Sequence, residues 1–123
     1  MPSLPKPNRQ AYLPERKRKP TGDQRFYNSS AWRKTSRLTR QRNPMCEVCN
    51  AIGVMTAAAV VDHIIGRQFG GADYDPRNLM PMCKDCHDAK SRKEVNGLPL
   101  QSIDTPQGLI PYDRREVVEL LTG

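Results

Sequence analysis

The sequence predicts a small α+β domain with a thin core and a covalent or metal staple, on three observations. Only 37% of the 123 residues are hydrophobic and 6% aromatic, with eleven prolines, and a chain of this size buries a modest share of its surface to begin with. Four cysteines fall into two CxxC pairs, Cys46/Cys49 and Cys83/Cys86. Between the pairs lie 33 residues, Asn50 to Met82, that read as strand, loop and strand, with a helical stretch after them.

The length suits one domain plus tails. The opening residues MPSLPKPNRQAYLP hold no apolar run for a signal peptide, and no segment approaches the roughly 20 apolar residues of a membrane span. The expected location is therefore the cytoplasm, away from membranes. In that reducing compartment paired CxxC motifs read as zinc ligands rather than disulfides.

The net charge is +7 and unevenly spread. Residues 1–45 carry twelve Lys/Arg against Glu15 and Asp23, a net of +10, and the remaining 78 residues sum to −3. A basic arm on a slightly acidic body suits a polyanionic partner, because cations that neutralise phosphates release counterions. Basic tails also serve solubility, so charge alone favours nucleic acid only modestly.

In chain order, residues 1–24 have five prolines and six Lys/Arg and read as a basic, flexible, disordered arm. Residues 25–123 form the domain. In FYNSSAWRKTSRLTRQRNP, Asn28, Ser29 or Ser30 caps a basic helix over 25–45 that ends before Pro44. Phe26, Tyr27, Trp32 and Leu38 form its buried side, and core packing is the expected role of those aromatics rather than base stacking. MCEVCNAIG is a tight knuckle, and AAAVVDHII has the β-branched density of a short strand. GRQFGGADYDPR is loop chemistry, and NLMPMC is a second extended piece in which Pro81 demands an edge or a strand end. A helix runs from Lys84 to about Asn96, with Gly97 and Pro99 as its stop, completing a core over 46–96. In 97–123, QSIDTPQGLIPY is expected to be irregular. Asp113 then caps a C-terminal helix with Val117, Val118, Leu120 and Leu121 on its apolar side.

Two constellations carry chemistry. The cysteine pairs match a four-thiolate zinc site, structural because four protein ligands leave no open position. The second set is Asp62, His63, Asn78 and His87. A carboxylate and an imidazole, Asp62 and His87, can anchor a cation while leaving positions to water and phosphate oxygens. A free imidazole beside them, His63, has an ordinary pKa of roughly 6.5 and can take a proton from water near neutrality.

DHI, a loop with paired glycines, NLMPMC and CxxCH followed by a lysine resemble the HNH endonuclease family, whose fold is the ββα-metal (His-Me) finger. The likeness spans about residues 26–95. The upstream FYNSSAWRK is similar to HNH proteins that tailed bacteriophages encode beside DNA-packaging terminase genes. The resemblance implies a divalent-metal-dependent DNA endonuclease that leaves 5′-phosphate and 3′-hydroxyl ends, acting in phage DNA processing or packaging in the host cytoplasm. It implies His63 as general base and Asp62 and His87 as ligands of a catalytic ion, Mg²⁺ or Mn²⁺ first among the candidates. It makes Asn78 the residue that pins the loop, and Lys90 a basic position reaching the scissile phosphate. DNA contacts fall to Arg33, Lys34, Arg37, Arg40, Arg67, Arg92 and Lys93, and terminase subunits or other packaging proteins are the implied protein partners. Neither monomer nor dimer follows from these residues.

A geometric condition attaches to this assignment. Neighbouring strand residues point to opposite faces, so Asp62 and His63 serve one site only if the strand ends or bulges there. The competing reading is a zinc-ribbon DNA-binding or adaptor protein without catalysis, in which Asp62 and His63 are ordinary polar residues at a strand end.

Overall fold

The computed structural model of the protein describes residues 22–94 and 99–123. The expected arm up to residue 21, and the helix stop at Asn96 and Gly97, lie outside the described residues. The elements are α1 Gly22–Asn28, α2 Ser30–Arg42, α3 Glu47–Ala51, β1 Val60–His63, β2 Leu79–Met82, α4 Lys84–Glu94, β3 Ser102–Thr105, β4 Gly108–Pro111 and α5 Arg115–Thr122. Among the described residues no helix is long and apolar enough to cross a membrane.

Ser29 caps α2: its Oγ accepts the Trp32 N–H at 3.2 Å, satisfying a donor that the first helical turn leaves free. The helix stops at Asn43, just before Pro44. The short helix α1 ahead of it was not expected. GDQRFYN has no apolar period and buries no residue, so its position is set by Arg67 from the loop after β1 and by the packing of Phe26 on Trp32 and His63.

β1 and β2 pair antiparallel, Val60 with Met82, Val61 with Pro81, Asp62 with Met80 and His63 with Leu79. Pro81 is tolerated because a two-stranded sheet consists of edges. The pleat sends residues to two sides. Val60, Met80 and Met82 join Cys46, Val48, Ile64, Cys83 and Val117 in one cluster, and Val61 and Leu79 meet Trp32 and Phe26 in another. Each side of the hairpin thus has its own small core: the cysteine knuckle, α4 and α5 cover one, and α1 and α2 the other.

The tail departs from expectation. SIDT and GLIP are not irregular but form an antiparallel hairpin, Ser102 with Pro111 through Thr105 with Gly108. Pro106-Gln107 is its two-residue turn, and Gly108 follows at φ 130°, which only glycine adopts freely. Ile103 and the Leu109-Ile110 pair, on either side of a Pro-Gln-Gly turn, were the available signal. This hairpin buttresses the glycine loop: Leu109 N–H donates to Gly70 O at 2.8 Å, and Ala72 N–H to Leu109 O at 2.9 Å.

At the start of α5 the Asp113 carboxylate accepts the Arg115 N–H at 3.0 Å. Arg114 next to it was missed by sequence reasoning. Its guanidinium holds both Glu47 carboxylate oxygens, at 2.7 and 2.8 Å, and the Leu79 carbonyl at 2.7 Å, tying the C-terminus to the knuckle and to β2.

Candidate active site

The CxxC pairs converge. Cys46 begins the knuckle, its Sγ accepting the Cys49 N–H at 3.5 Å, while Cys83 and Cys86 flank the first turn of α4. All four sulfurs lie within 4.8 Å of one another. Cys49 Sγ is 3.8 Å from Cys83 Sγ and 3.6 Å from Cys86 Sγ. Disulfide sulfurs would stand about 2.05 Å apart. Four thiolates on a tetrahedral zinc at about 2.3 Å stand about 3.8 Å apart. Burial, then the neighbouring sulfurs of Cys83, Cys49 and Cys46, push the Cys86 thiol well above the usual cysteine range. The four cannot ionise together unless a cation neutralises them, so the donor set fits a divalent metal.

At the far end of β1 the strand stops at His63, in regular register and without a bulge. Asp62 and His63 therefore leave on opposite faces of β1, at its last two positions. A cleft of about 440 Å³ wraps the strand end, lined by Asp62, His63, His87, Tyr27, Trp32 and Glu94 among others.

On the α4 side, Asp62 Oδ1 is 3.4 Å from His87 Nε2. Contact with the Asp62 carboxylate pushes the His87 pKa above the ordinary histidine value, against the effect of burial. Two donors of opposite proton preference at this separation suit a shared cation, which displaces the imidazole proton. The other carboxylate oxygen, Oδ2, is buried and has no aligned hydrogen-bond donor, although Lys90 Nζ stands 2.7 Å away as an ion-pair partner. The pair fits a divalent ion.

Lys90 does not occupy the place expected of it. Its side chain is 1% exposed, and Nζ is consumed by Asp62, by the Glu94 carboxylate one turn on, and by the His63 carbonyl at 3.1 Å. A phosphate cannot reach it. The reason is tertiary: α4 crosses beneath the end of β1, so the fourth residue after Cys86 points inward.

His63 is 3% exposed and boxed by rings. Trp32 stacks on it at 4.6 Å between centroids with a 26° interplanar angle, and Phe26 and Tyr27 close the box at 5.7 and 5.9 Å. These aromatics do more than pack a core, as was expected of them. His63 Nε2 is 2.9 Å from the Asp73 carbonyl. A carbonyl only accepts, so Nε2 carries the proton and Nδ1 keeps a lone pair. Tyr27 Oη lies 3.3 Å from Nδ1 and donates to it. Burial holds the His63 pKa below the ordinary histidine value, with the Asp73 carbonyl and Asp62 opposing, so the imidazole is neutral at pH 7. Burial likewise raises Tyr27, which stays a phenol.

Asn78 is fully buried. Its Oδ1 accepts the Ile65 N–H at 2.8 Å, and its Nδ2 donates to Ile65 O at 3.1 Å and Ala72 O at 2.8 Å. One side chain thereby pins both limbs of the loop that carries the Asp73 carbonyl to His63. The limbs approach so closely that a Cβ on Gly71 would lie 1.7 Å from Ile65 O, which only glycine avoids.

Of the expected DNA-contact residues, Arg33, Lys34, Arg37, Arg92 and Lys93 are exposed. Arg40 is half-buried, with Nη1 3.5 Å from Ala59 O. Arg67 is engaged within the protein: Nε holds Asp73 and Nη1 holds Asp23, each at 2.8 Å, and its guanidinium lies 3.8 Å over the Phe26 ring. Sequence reasoning missed Asp73 and Glu94 as members of this site, because a backbone carbonyl and an inward carboxylate leave no motif.

Comparison with known proteins agrees with this geometry. A family model described as HNH endonuclease matches residues 46–93, from the first cysteine into the last turn of α4. The crystal structure of the deep-sea thermophilic bacteriophage GVE2 HNH endonuclease with manganese ion is similar, with a TM-score of 0.50 at 28% identity over 58% of this chain and 79% of that one. A probable HNH endonuclease of Lactococcus phage SK1 is 32% identical over 78 residues, 58% of this chain and 81% of its own length. With four fifths of that relative accounted for, and the matched segment 46–93 holding all four cysteines together with Asp62, His63, Asn78 and His87, the chain belongs to the HNH endonuclease family and is a nuclease.

Proposed function

We propose that the protein is a divalent-metal-dependent DNA endonuclease that hydrolyses phosphodiesters to 5′-phosphate and 3′-hydroxyl ends, with His63 as general base. The observation that carries this reading is the tautomer of His63. Its Nε2–H is spent on the Asp73 carbonyl, so Nδ1 is the accepting nitrogen, met only by the long 3.3 Å contact of Tyr27, on a residue that lines the cleft together with Asp62 and His87. Nδ1 takes a proton from water as that water attacks phosphorus, a contribution of about 10²–10⁴-fold in general-base catalysis. Asp62 and His87 would hold the catalytic ion, Mg²⁺ or Mn²⁺, which when bound supplies charge stabilisation at the phosphate and the leaving oxygen. The manganese in the phage GVE2 relative supports that choice of metal. Asn78 holds the loop in register, and Lys90 holds the Asp62 carboxylate rather than a phosphate. Cys46, Cys49, Cys83 and Cys86 would hold a structural zinc.

The exposed cations Arg33, Lys34 and Arg37 on α2 and Arg92 and Lys93 on α4 would contact the DNA backbone, positioning it without reading sequence. Both relatives come from bacteriophages, which supports a role in phage DNA processing. The further step to packaging, with terminase subunits as partners, rests on the resemblance of FYNSSAWRK alone. Incubation with supercoiled plasmid and Mg²⁺, Mn²⁺ or EDTA tests the activity, and His63→Ala should abolish cutting while DNA binding persists. Wild-type cutting by that variant would remove His63 as the base. Tight, salt-sensitive binding by the wild-type protein without any cutting would select a DNA-binding adaptor instead.

A further inference from the structure

We propose that Arg67 is a positioning residue for His63, setting both hydrogen bonds of the catalytic imidazole rather than contacting a phosphate. The proposal rests on the reading of His63 as the base and deepens it.

The two nitrogens of His63 have partners on two different chain segments. Nε2 donates to the carbonyl of Asp73 in the loop after β1, and Nδ1 accepts from Tyr27 on α1. One guanidinium grips both segments. Its Nε fixes the Asp73 carboxylate at 2.8 Å, on the residue whose carbonyl receives Nε2–H, and its Nη1 fixes Asp23 at 2.8 Å, one turn before Tyr27. Its flat face covers Phe26 at 3.8 Å, the residue adjacent to Tyr27. With no buried residue of its own, α1 depends on these contacts and the ring packing for its position. A seven-residue helix is far too short to persist alone, since isolated helices below about 12–15 residues are marginal.

The consequence concerns which tautomer His63 adopts. A carbonyl at Nε2 and a phenol donor at Nδ1 both select the Nε2–H form, whose Nδ1 lone pair is the base. The Tyr27 contact is long at 3.3 Å against about 2.7–2.8 Å for a strong O–H donor, so a water can exchange with it. Loosening Asp73 or α1 lets the imidazole rotate or change tautomer and places the lone pair where no water can be aligned. Lysine cannot replace this arginine, because gripping two carboxylates and covering a ring needs a planar fork.

The experiment uses the full-length, zinc-loaded protein. Arg67→Lys keeps the positive charge, so a phosphate-contact role predicts a nearly unchanged enzyme or a raised KM. Positioning predicts that kcat for plasmid nicking with Mn²⁺ falls about tenfold to a hundredfold, with KM for DNA moving by no more than about twofold. In the DNA-free protein, ¹⁵N spectra of the His63 imidazole should shift from the Nε2–H pattern toward a mixture of tautomers. Asp73→Asn keeps the carbonyl but weakens the guanidinium grip, and should lower kcat in the same direction by a smaller factor. It also carries the test if Arg67→Lys does not fold. Wild-type kcat and an unchanged imidazole spectrum in these variants would overturn the proposal. The spectra report positioning whether or not His63 is the base, whereas a His63→Ala protein that still cuts would sink the base assignment alone.

Discussion

The side chain of Asn78 offers the sharpest test of how the site is built. Asn78→Ala removes three hydrogen bonds at once and strands the Ile65 N–H, the Ile65 carbonyl and the Ala72 carbonyl beneath the loop. Each buried polar group left without a partner costs about 1–3 kcal/mol, so a loss of about 3 kcal/mol or more is expected even if one group recovers a water. Against a total stability of about 5–15 kcal/mol for a domain, that is a large fraction. Asn78→Asp is the informative companion. It keeps the volume and the acceptor for Ile65 N–H but turns an anionic oxygen toward two carbonyls, and should destabilise at least as much as alanine. Urea unfolding of proteins prepared with added zinc, followed by the fluorescence of Trp32, the sole tryptophan, measures both. Because Trp32 stacks on His63, the same signal reports whether the imidazole loses its seat before the fold melts. An Asn78→Ala protein within 1 kcal/mol of wild type by this roughly 1–3 kcal/mol-per-group reasoning would refute the claim that Asn78 pins the loop.

Three further outcomes are expected. If the four cysteines hold zinc as proposed, a chelator or Cys83→Ser should abolish cooperative unfolding and release that zinc, since binding and folding are coupled in such sites; a stably folded, metal-free protein with all four thiols reduced would contradict it. Lys90→Met leaves the Asp62 and Glu94 carboxylates without their cation and should cost about 3 kcal/mol, on the scale of a broken buried pair. DNA affinity and its salt dependence should stay unchanged, as filter binding across a salt series would reveal. Deleting residues 1–21, with six Lys/Arg against one Glu, should weaken DNA binding and flatten its log–log salt slope by about 0.9 for each phosphate that the arm neutralises. The nicking rate at saturating DNA should be retained, and an unchanged salt slope would exclude the arm from the interface.

The spacing of Cys46, Cys49, Cys83 and Cys86, the order Asp62-His63, Asn78, His87, and the Ser29 start of α2 were all legible in the linear chain. Each is a local pattern: a CxxC turn presents two thiols whatever surrounds it, a serine caps the helix it precedes, and a strand followed by glycines ends. The tail hairpin left only a faint signal, Ile103 on one side of the turn and Leu109-Ile110 on the other, and Pro106 and Gly108 between them read as loop. What the tertiary structure alone decided is how side chains of ambiguous purpose are spent. Lys90 and Arg67 look like phosphate contacts in sequence because both are cations near the motif. Folding brings Lys90 to the His63 carbonyl 27 residues away and Arg67 to Asp23, 44 residues away, and a charge held by buried or clamped partners is no longer offered to a ligand. The same holds for the choice between the two nitrogens of His63. The residue type announces a base, but which nitrogen bears the lone pair depends on a backbone carbonyl and a tyrosine from distant segments, and no local pattern encodes such a meeting.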